Sequence, residues 1–246
     1  MRADLYLVQH GLIETRAKAQ EAIAAGTVTV DGVVVIKASQ KIAEGAVVSA
    51  QPAHPYVSRA ALKLLAGLEA FGIDPAGRIC LDVGSSTGGF TQVLLEGGAA
   101  RVYAVDVGRD QLHPSLRANS RVVSMEGVDA RSLTASDCTP APSLIVCDAS
   151  FISLLKVIPN PMSLAANQAD LIALIKPQFE VGRASIGRGG LVKNGKERAR
   201  AVAEVRAVLD GLESFSVRDV MESPVKGGDG NQEYLITARR NVESNC

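Results

Sequence analysis

The chain has 246 residues, 47% of them hydrophobic and 21% charged, enough for one large domain or for a small one beside a medium one. Its 26 basic and 26 acidic side chains cancel, so nucleic acid can be held only by a local cluster of charge. Aromatic residues at 4% with no Trp exclude a surface built mainly on stacking, and no apolar run is long enough to span a membrane.

The first residues do not read as a signal peptide, because Arg2 and Asp4 interrupt them. Residues 1–50 read as a unit of their own. Leu5, Val8 and Leu12 recur at helical spacing around Gly11, which breaks the run. Thr15 caps a second helix whose Ala19, Ala22, Ile23 and Ala24 face inward, and Gly26 ends it at the C′ position. Residues 27–35 form a hairpin of two β-branched runs joined at Asp31-Gly32. Val47 and Val48 close the unit before a polar, Pro-containing linker over 51–57.

This order, with Arg2-Ala3-Asp4, Gly11, Thr15-Arg16, Ala19, Ile23, Gly26 and the Val-x-Val-Asp-Gly turn, resembles the S-four-type RNA-binding domain. The resemblance implies that the second helix and the hairpin meet RNA phosphates, with Arg2, Arg16 and Lys18 as contacts. Charge pattern alone also suits a solvated helix face. Five basic and five acidic side chains in the first 50 residues make this a weak docking module.

Residues 58–246 change texture. A helix capped by Ser58 comes first, followed by apolar runs at 78–84, 101–108, 121–130, 143–150 and 170–177, separated by helix-length stretches. The alternation predicts an α/β fold with a parallel sheet covered on both faces. Runs at 214–223 and 232–240 predict an antiparallel hairpin at the sheet edge, the pattern of class I (Rossmann-like) methyltransferases. Cys80 and Cys147 fall inside buried runs, and Cys80, Cys138, Cys147 and Cys246 form no metal-ligand spacing. A reduced, cytoplasmic protein without metal is expected.

Ligands of such sheets bind beyond the carboxyl ends of the strands. The first strand of this domain ends in Asp82-Val83-Gly84-Ser85-Ser86-Thr87-Gly88-Gly89-Phe90, with glycines where the loop must lie against a ligand. The second ends in Asp106-Val107, where a carboxylate can hold two ribose hydroxyls, and the third in Asp129-Ala130, where one can take an adenine amino group. The loop reads G-x-x-x-G-G and not the G-x-G-x-x-G of dinucleotide sites, and Asp82 would repel a pyrophosphate. The same carboxylate suits the sulfonium and ammonium of S-adenosylmethionine.

Four ionisable residues remain at strand and helix ends: Lys63, Asp148, Lys176 and Glu233. Lys176 follows an apolar run directly, so its stem starts in the core and its amine faces the cleft, a costly placement unless the amine is used or paired. The set matches the Lys-Asp-Lys-Glu tetrad of the FtsJ-like ribose 2′-O-methyltransferases. Together with YVSR-x-x-LKL, LDVGSSTGGFT, CDASFISL, IKPQFE and GNQEYL, it is similar to the TlyA, or hemolysin-A-like, rRNA methyltransferases across essentially the whole chain. The resemblance implies methyl transfer from S-adenosylmethionine to a ribose 2′-hydroxyl, most specifically of cytidine in rRNA or ribosomal subunits. Lys176 is expected to take the hydroxyl proton, with Asp148 and Glu233 orienting the two lysines. A charged Lys176 that positions the oxygen is the open alternative.

Base methylation fits less well, since the turn Asp148-Ala149-Ser150-Phe151 carries neither a Pro-Pro-aromatic nor a Pro-Cys pair. From 177 to 206 seven basic side chains face three acidic ones, and the glycines suggest a mobile loop over the substrate, with Arg183, Arg188, Lys193 and Lys196 on phosphate and Arg59 beside them. A monomer is expected. The competing readings are a non-catalytic RNA binder, a pseudouridine synthase lacking its Arg-Leu-Asp segment, and a hemolysin lacking a membrane segment.

Overall fold

The computed structural model describes residues 1–212 and 214–241, the side chain of Asn241 excepted. Cys246 and the expected end of the second domain lie outside them. The chain divides into two compact units after Tyr56.

The first unit packs α1 (Ala3–Gln9) and α2 (Arg16–Ala24) against a three-stranded antiparallel sheet of β1 (Val28–Val30), β2 (Val33–Val34) and β3 (Val48–Ala50), in the order β2-β1-β3. Asp31 at φ 50° and Gly32 at φ 80° give the positive angles that a two-residue hairpin turn requires. The Thr15 hydroxyl accepts the Lys18 N–H at 3.3 Å and caps α2. Leu7, Ile13, Ile23, Val28, Val35 and Ile42 fill the core. Two inward faces differ from the sequence pattern. Leu5 and Leu12 are exposed while Ala3 and Leu7 are buried, and Ala24 is exposed. The reason in α1 is Asp4, which is fully buried and fixes the rotation of the helix. Its carboxylate accepts from Arg2 (3.0 Å), Arg16 (2.9 Å) and Gln20 (3.0 Å). The Arg2 guanidinium, with Gln20 and Arg16, holds this carboxyl well below the usual range against the opposing effect of burial.

The second unit follows the order α3 (Ala60–Phe71), β4 (Ile79–Val83), α4 (Gly89–Glu96), β5 (Arg101–Asp106), α5 (Pro114–Arg117), β6 (Val122–Glu126), β7 (Leu144–Cys147), α6 (Leu154–Val157), α7 (Pro159–Ser163), β8 (Gln168–Ile175), α8 (Pro177–Glu180), α9 (Gly195–Asp210), β9 (Phe215–Glu222) and β10 (Tyr234–Asn241). The seven strands run β6-β5-β4-β7-β8-β10-β9. β4 to β8 are parallel, and β10 lies antiparallel between β8 and the rim strand β9. The expected α/β class and terminal hairpin are both present.

Alternation along the strands separates two buried faces. Leu171, Ala173 and Ile236 belong to the cluster that takes in Leu154 and Val157 of α6 and Val205 and Leu209 of α9. On the opposite face Ile172 and Leu235 pack against α3 so closely that a Cβ on Gly67 would fall 3.3 Å from Ile172. Strands buried on both sides are apolar without a break, which is why Leu144–Cys147 and Leu171–Ile175 carry no alternating polar positions. At the amino ends of these strands Asp170 accepts from Arg78 (2.8 Å) and Arg239 (2.7 Å), joining the start of β4 to β8 and β10. Cys80, Cys138 and Cys147 are free and buried, and burial pushes their thiols up to about 12, 11 and 12.

Candidate active site

The carboxyl ends of β4, β5 and β7 open into a cavity of about 550 Å³. Gly84, Ser86, Asp106, Val107, Asp129, Ala130 and Asp148 line it, together with Gln111, Arg131, Ser150, Phe151, Ile152 and Val157. Gly84 is needed here on two counts. Its φ is 82°, and a Cβ would stand 3.0 Å from the backbone of Ala149 in the loop after β7. Asp106 accepts the Ser86 N–H at 2.8 Å and the Gly108 N–H at 2.7 Å, so the two loops are tied to one carboxylate. Asp129 caps the short turn that follows it and pairs with Arg131, which holds its carboxyl below the usual range.

Several residues expected at the ligand fall outside the lining of this cavity. Ser85, Thr87, Gly88, Gly89 and Phe90 do not line the cavity. A Cβ on Gly88 would collide with Leu112 and Leu116, and one on Gly89 with the Ser58 hydroxyl and Ala61. The lack of a side chain at both glycines thus makes room for neighbouring chain. Ser58, expected as a helix cap, makes that contact instead, while Arg59 occupies the N-cap position of α3 without a side-chain hydrogen bond. Asp82 is 0% exposed and also absent from the lining. One oxygen accepts the Thr91 hydroxyl at 2.7 Å, and the other has no partner among the described residues. Burial, with the charges of Asp148 and Asp106 adding to it, pushes this carboxyl up to about 7 against the Thr91 hydrogen bond.

The four candidate catalytic residues come together as two pairs. Lys176, the residue after β8, directs its amine at Asp148, the residue after β7. Its Nζ lies 2.6 Å from Asp148 Oδ1 and donates to the Ser150 hydroxyl at 2.6 Å and to the Asp148 carbonyl at 3.3 Å. Lys63 on α3 donates to Glu233 Oε2 at 2.6 Å, with the two side chains 8% and 3% exposed. Glu233 precedes β10, and the pairing of Tyr234 with Ile175 sets it opposite Lys176. Among the described residues no hydrogen bond or ion pair joins the two pairs, and only Asp148 of the four lines the cavity. Two buried ion pairs are poor stability devices, because apolar residues of like volume usually do as well. One of them, Lys176–Asp148, stands at the rim of the cavity, which makes it the candidate for a role beyond stability.

Around this centre Glu180 at the end of α8 accepts from the Ser153 hydroxyl (2.6 Å) and the Leu154 N–H (2.8 Å), fixing the loop 148–153. Phe151 stands 92% exposed at φ 65°, its ring 5.5 Å from that of Phe179. Ser150, Phe151 and Glu180 were not singled out from sequence, and only the proximity of Ser150 to Asp148 could have signalled one of them. The Gly-rich stretch after α8 is not the free loop expected. Asn231, 3% exposed, accepts the Val192 N–H (2.9 Å) and donates to the Gly190 carbonyl (2.9 Å), and Val181, Val192 and Ala201 form a small core beneath. Arg183, Arg188, Lys193 and Lys196 are exposed on it and enter no ion pair among the described residues. Arg59 is half-buried. In the first unit Arg2 and Arg16 face Asp4, and Lys18 faces Glu14 at 2.6 Å.

The cavity fits S-adenosylmethionine. Asp106, Asp129 and Asp148 against the single Arg131 give it a negative lining that favours a cation and disfavours a pyrophosphate, and Val107, Ala130, Ile152 and Val157 offer apolar surface for a flat ring. Residues 56–240 match the family described as FtsJ-like methyltransferase, and residues 1–48 match the S4 domain. The chain is 44% identical over 244 residues to the 16S/23S rRNA (cytidine-2′-O)-methyltransferase TlyA of Mycobacterium tuberculosis, covering 98% of this chain and 91% of the relative. It is 40% identical over 237 residues to hemolysin A of Brachyspira hyodysenteriae, covering 96% and 98% of the two chains. A solved chain from Streptococcus thermophilus, titled as a hemolysin, shares 38% identity with a TM-score of 0.77, over 99% of this chain and 89% of that one. No helix among the described residues is long and apolar enough to cross a membrane.

Proposed function

The chain belongs to the FtsJ-like methyltransferase family and carries an S4 domain, and from that premise we propose that it transfers a methyl group from S-adenosylmethionine to the 2′-hydroxyl of a cytidine ribose in ribosomal RNA. The observation that carries this reading is the Lys176–Asp148 pair at the rim of a carboxylate-lined cavity. Asp106 and Asp129 would hold ribose and adenine, the apolar side chains between them the ring, and Asp148 the positive end. The cofactor brings a methyl group already activated on a sulfonium, so the protein has to supply position and a proton acceptor.

Lys176 fits the acceptor role because its amine lies within reach of the groups that line the cavity. Asp148 aims the amine and steadies it once it is protonated. Lys63 and Glu233 neutralise one another beside it, so a second charge enters the buried site with its counter-ion. Arg183, Arg188, Lys193 and Lys196, with Arg59 and the Arg2, Arg16 and Lys18 of the S4 domain, are the proposed phosphate contacts. The proposed partner is rRNA or a ribosomal subunit in the cytoplasm, met by a monomer without metal.

The test is transfer of tritiated methyl to ribosomal subunits, whole ribosomes and free rRNA, with digestion to nucleosides. Label should appear in 2′-O-methylcytidine. Lys176→Arg should lose roughly 10²–10⁴-fold in turnover while calorimetry finds cofactor affinity kept, because a guanidinium does not accept the proton. Label in a base-methylated nucleoside, or none with any substrate, overturns the reading.

A further inference from the structure

We infer that Ser150 is a catalytic residue, a hydroxyl that relays the ribose proton to Lys176. The inference rests on the proposed function and deepens it. Lys176 is 6% exposed and does not line the cavity, whereas Ser150 is exposed and does. The amine has three partners: Asp148 Oδ1 at 2.6 Å, the Asp148 carbonyl at 3.3 Å and the Ser150 hydroxyl at 2.6 Å. An ionised carboxylate and a carbonyl only accept hydrogen bonds, so neither has a proton to pass to an amine. A hydroxyl both accepts and donates. Ser150 is thus the one of the three that can take a proton on its cavity side and give up its own on the other.

Its position is fixed from both directions. Ala149 is packed against Gly84, and Ser153 is held by Glu180, so residues 149–153 present the hydroxyl from a braced loop. The step balances. The ribose oxygen–carbon bond forms as the carbon–sulfur bond breaks, and the electron pair of the broken bond stays on sulfur. The ribose hydroxyl proton passes to Ser150 Oγ while Ser150, its hydroxyl turned so that it donates to the amine and no longer accepts from it, passes its own proton to Lys176 Nζ. Serine ends as it began, and the proton ends on Lys176 Nζ beside Asp148.

The experiment compares full-length wild type, Ser150→Ala and Ser150→Thr in single-turnover methyl transfer to the substrate found above, in mixtures of light and heavy water. Cofactor and RNA affinities are measured alongside, as is the ¹⁵N–¹H signal of the Lys176 amine in lysine-labelled protein. Ser150→Ala should be slowed by about 10²-fold with both affinities kept, and Ser150→Thr should recover most of the rate. The wild-type rate should fall along a curve with deuterium content, as for two protons in flight, and the Ala variant along a line. The Lys176 signal should broaden in Ser150→Ala and persist in Ser150→Thr, which reads the contact without any reaction. An Ala variant within twofold of wild type, a Thr variant as slow as Ala, or a Lys176 signal indifferent to both changes overturns the relay while leaving the proposed function standing. Absence of methyl transfer by the wild type overturns both.

Discussion

Asp82 shows what one buried carboxyl does to the pH response of the fold. In the unfolded chain it ionises near 3.8, and in the folded protein burial pushes it up to about 7. Between those values the folded state keeps a proton that the unfolded state has lost, so stability falls as pH rises through that window. Asp82→Asn keeps an oxygen for the Thr91 hydroxyl and removes the titration. The variant should melt above wild type at pH ~8, with the gap narrowing as pH falls through the window toward ~4; calorimetric melts that keep a constant gap refute the assignment. At this scale the sequence pointed to Asp106, Asp129, Asp148 and Lys176, each of which closes an apolar run, and the structure lines the cavity with the first three and sets Lys176 against Asp148 at its rim. Asp82, Gly88, Gly89 and Phe90, expected at the ligand, lie outside that lining. Facing neighbours, and not the residues themselves, decide whether a glycine admits a ligand or a leucine.

Among the elements, strands were the most legible and loops the least. Each expected strand of the second unit is present, since an apolar run bounded by polar turns has few other uses. The helix faces of the first unit were less so, because a single buried acid, Asp4, outweighed the Leu5–Leu12 spacing. The stretch 182–194 carried glycines and basic residues that read as freedom, while its restraint comes from Asn231, far along the chain. Removing that side chain leaves the Val192 N–H buried and unpaired, at a cost of about 1–3 kcal/mol. Asn231→Ala should therefore be nicked by trypsin after Arg188 and Lys193 roughly tenfold faster or more, with the rest of the chain resistant. Equal cleavage rates would show that the stretch is held by something else.

For the molecule as a whole, a net charge of zero conceals an uneven distribution. Arg2, Arg16 and Lys18 of the first unit are answered by acids in place, whereas Arg183, Arg188, Lys193 and Lys196 enter no ion pair among the described residues. Replacing Arg183, Arg188, Lys193 and Lys196 together by Ala should lower the salt slope of rRNA binding by about 3, measured by filter binding between about 50 and 200 mM salt. Arg2, Arg16 and Lys18 changed together should lower it by less, and the reverse ranking would assign the phosphate contacts to the first unit. The strand order bears on how such a protein is made. β10 is the last strand synthesised among the described residues, yet its seat is inside the sheet, between β8 and β9. A nascent chain that already carries the cofactor cradle and three of the four charged groups still has a gap beside β8, with Lys63 lacking its counter-ion. The four-residue cluster is therefore complete only once the closing hairpin delivers Glu233 to Lys63.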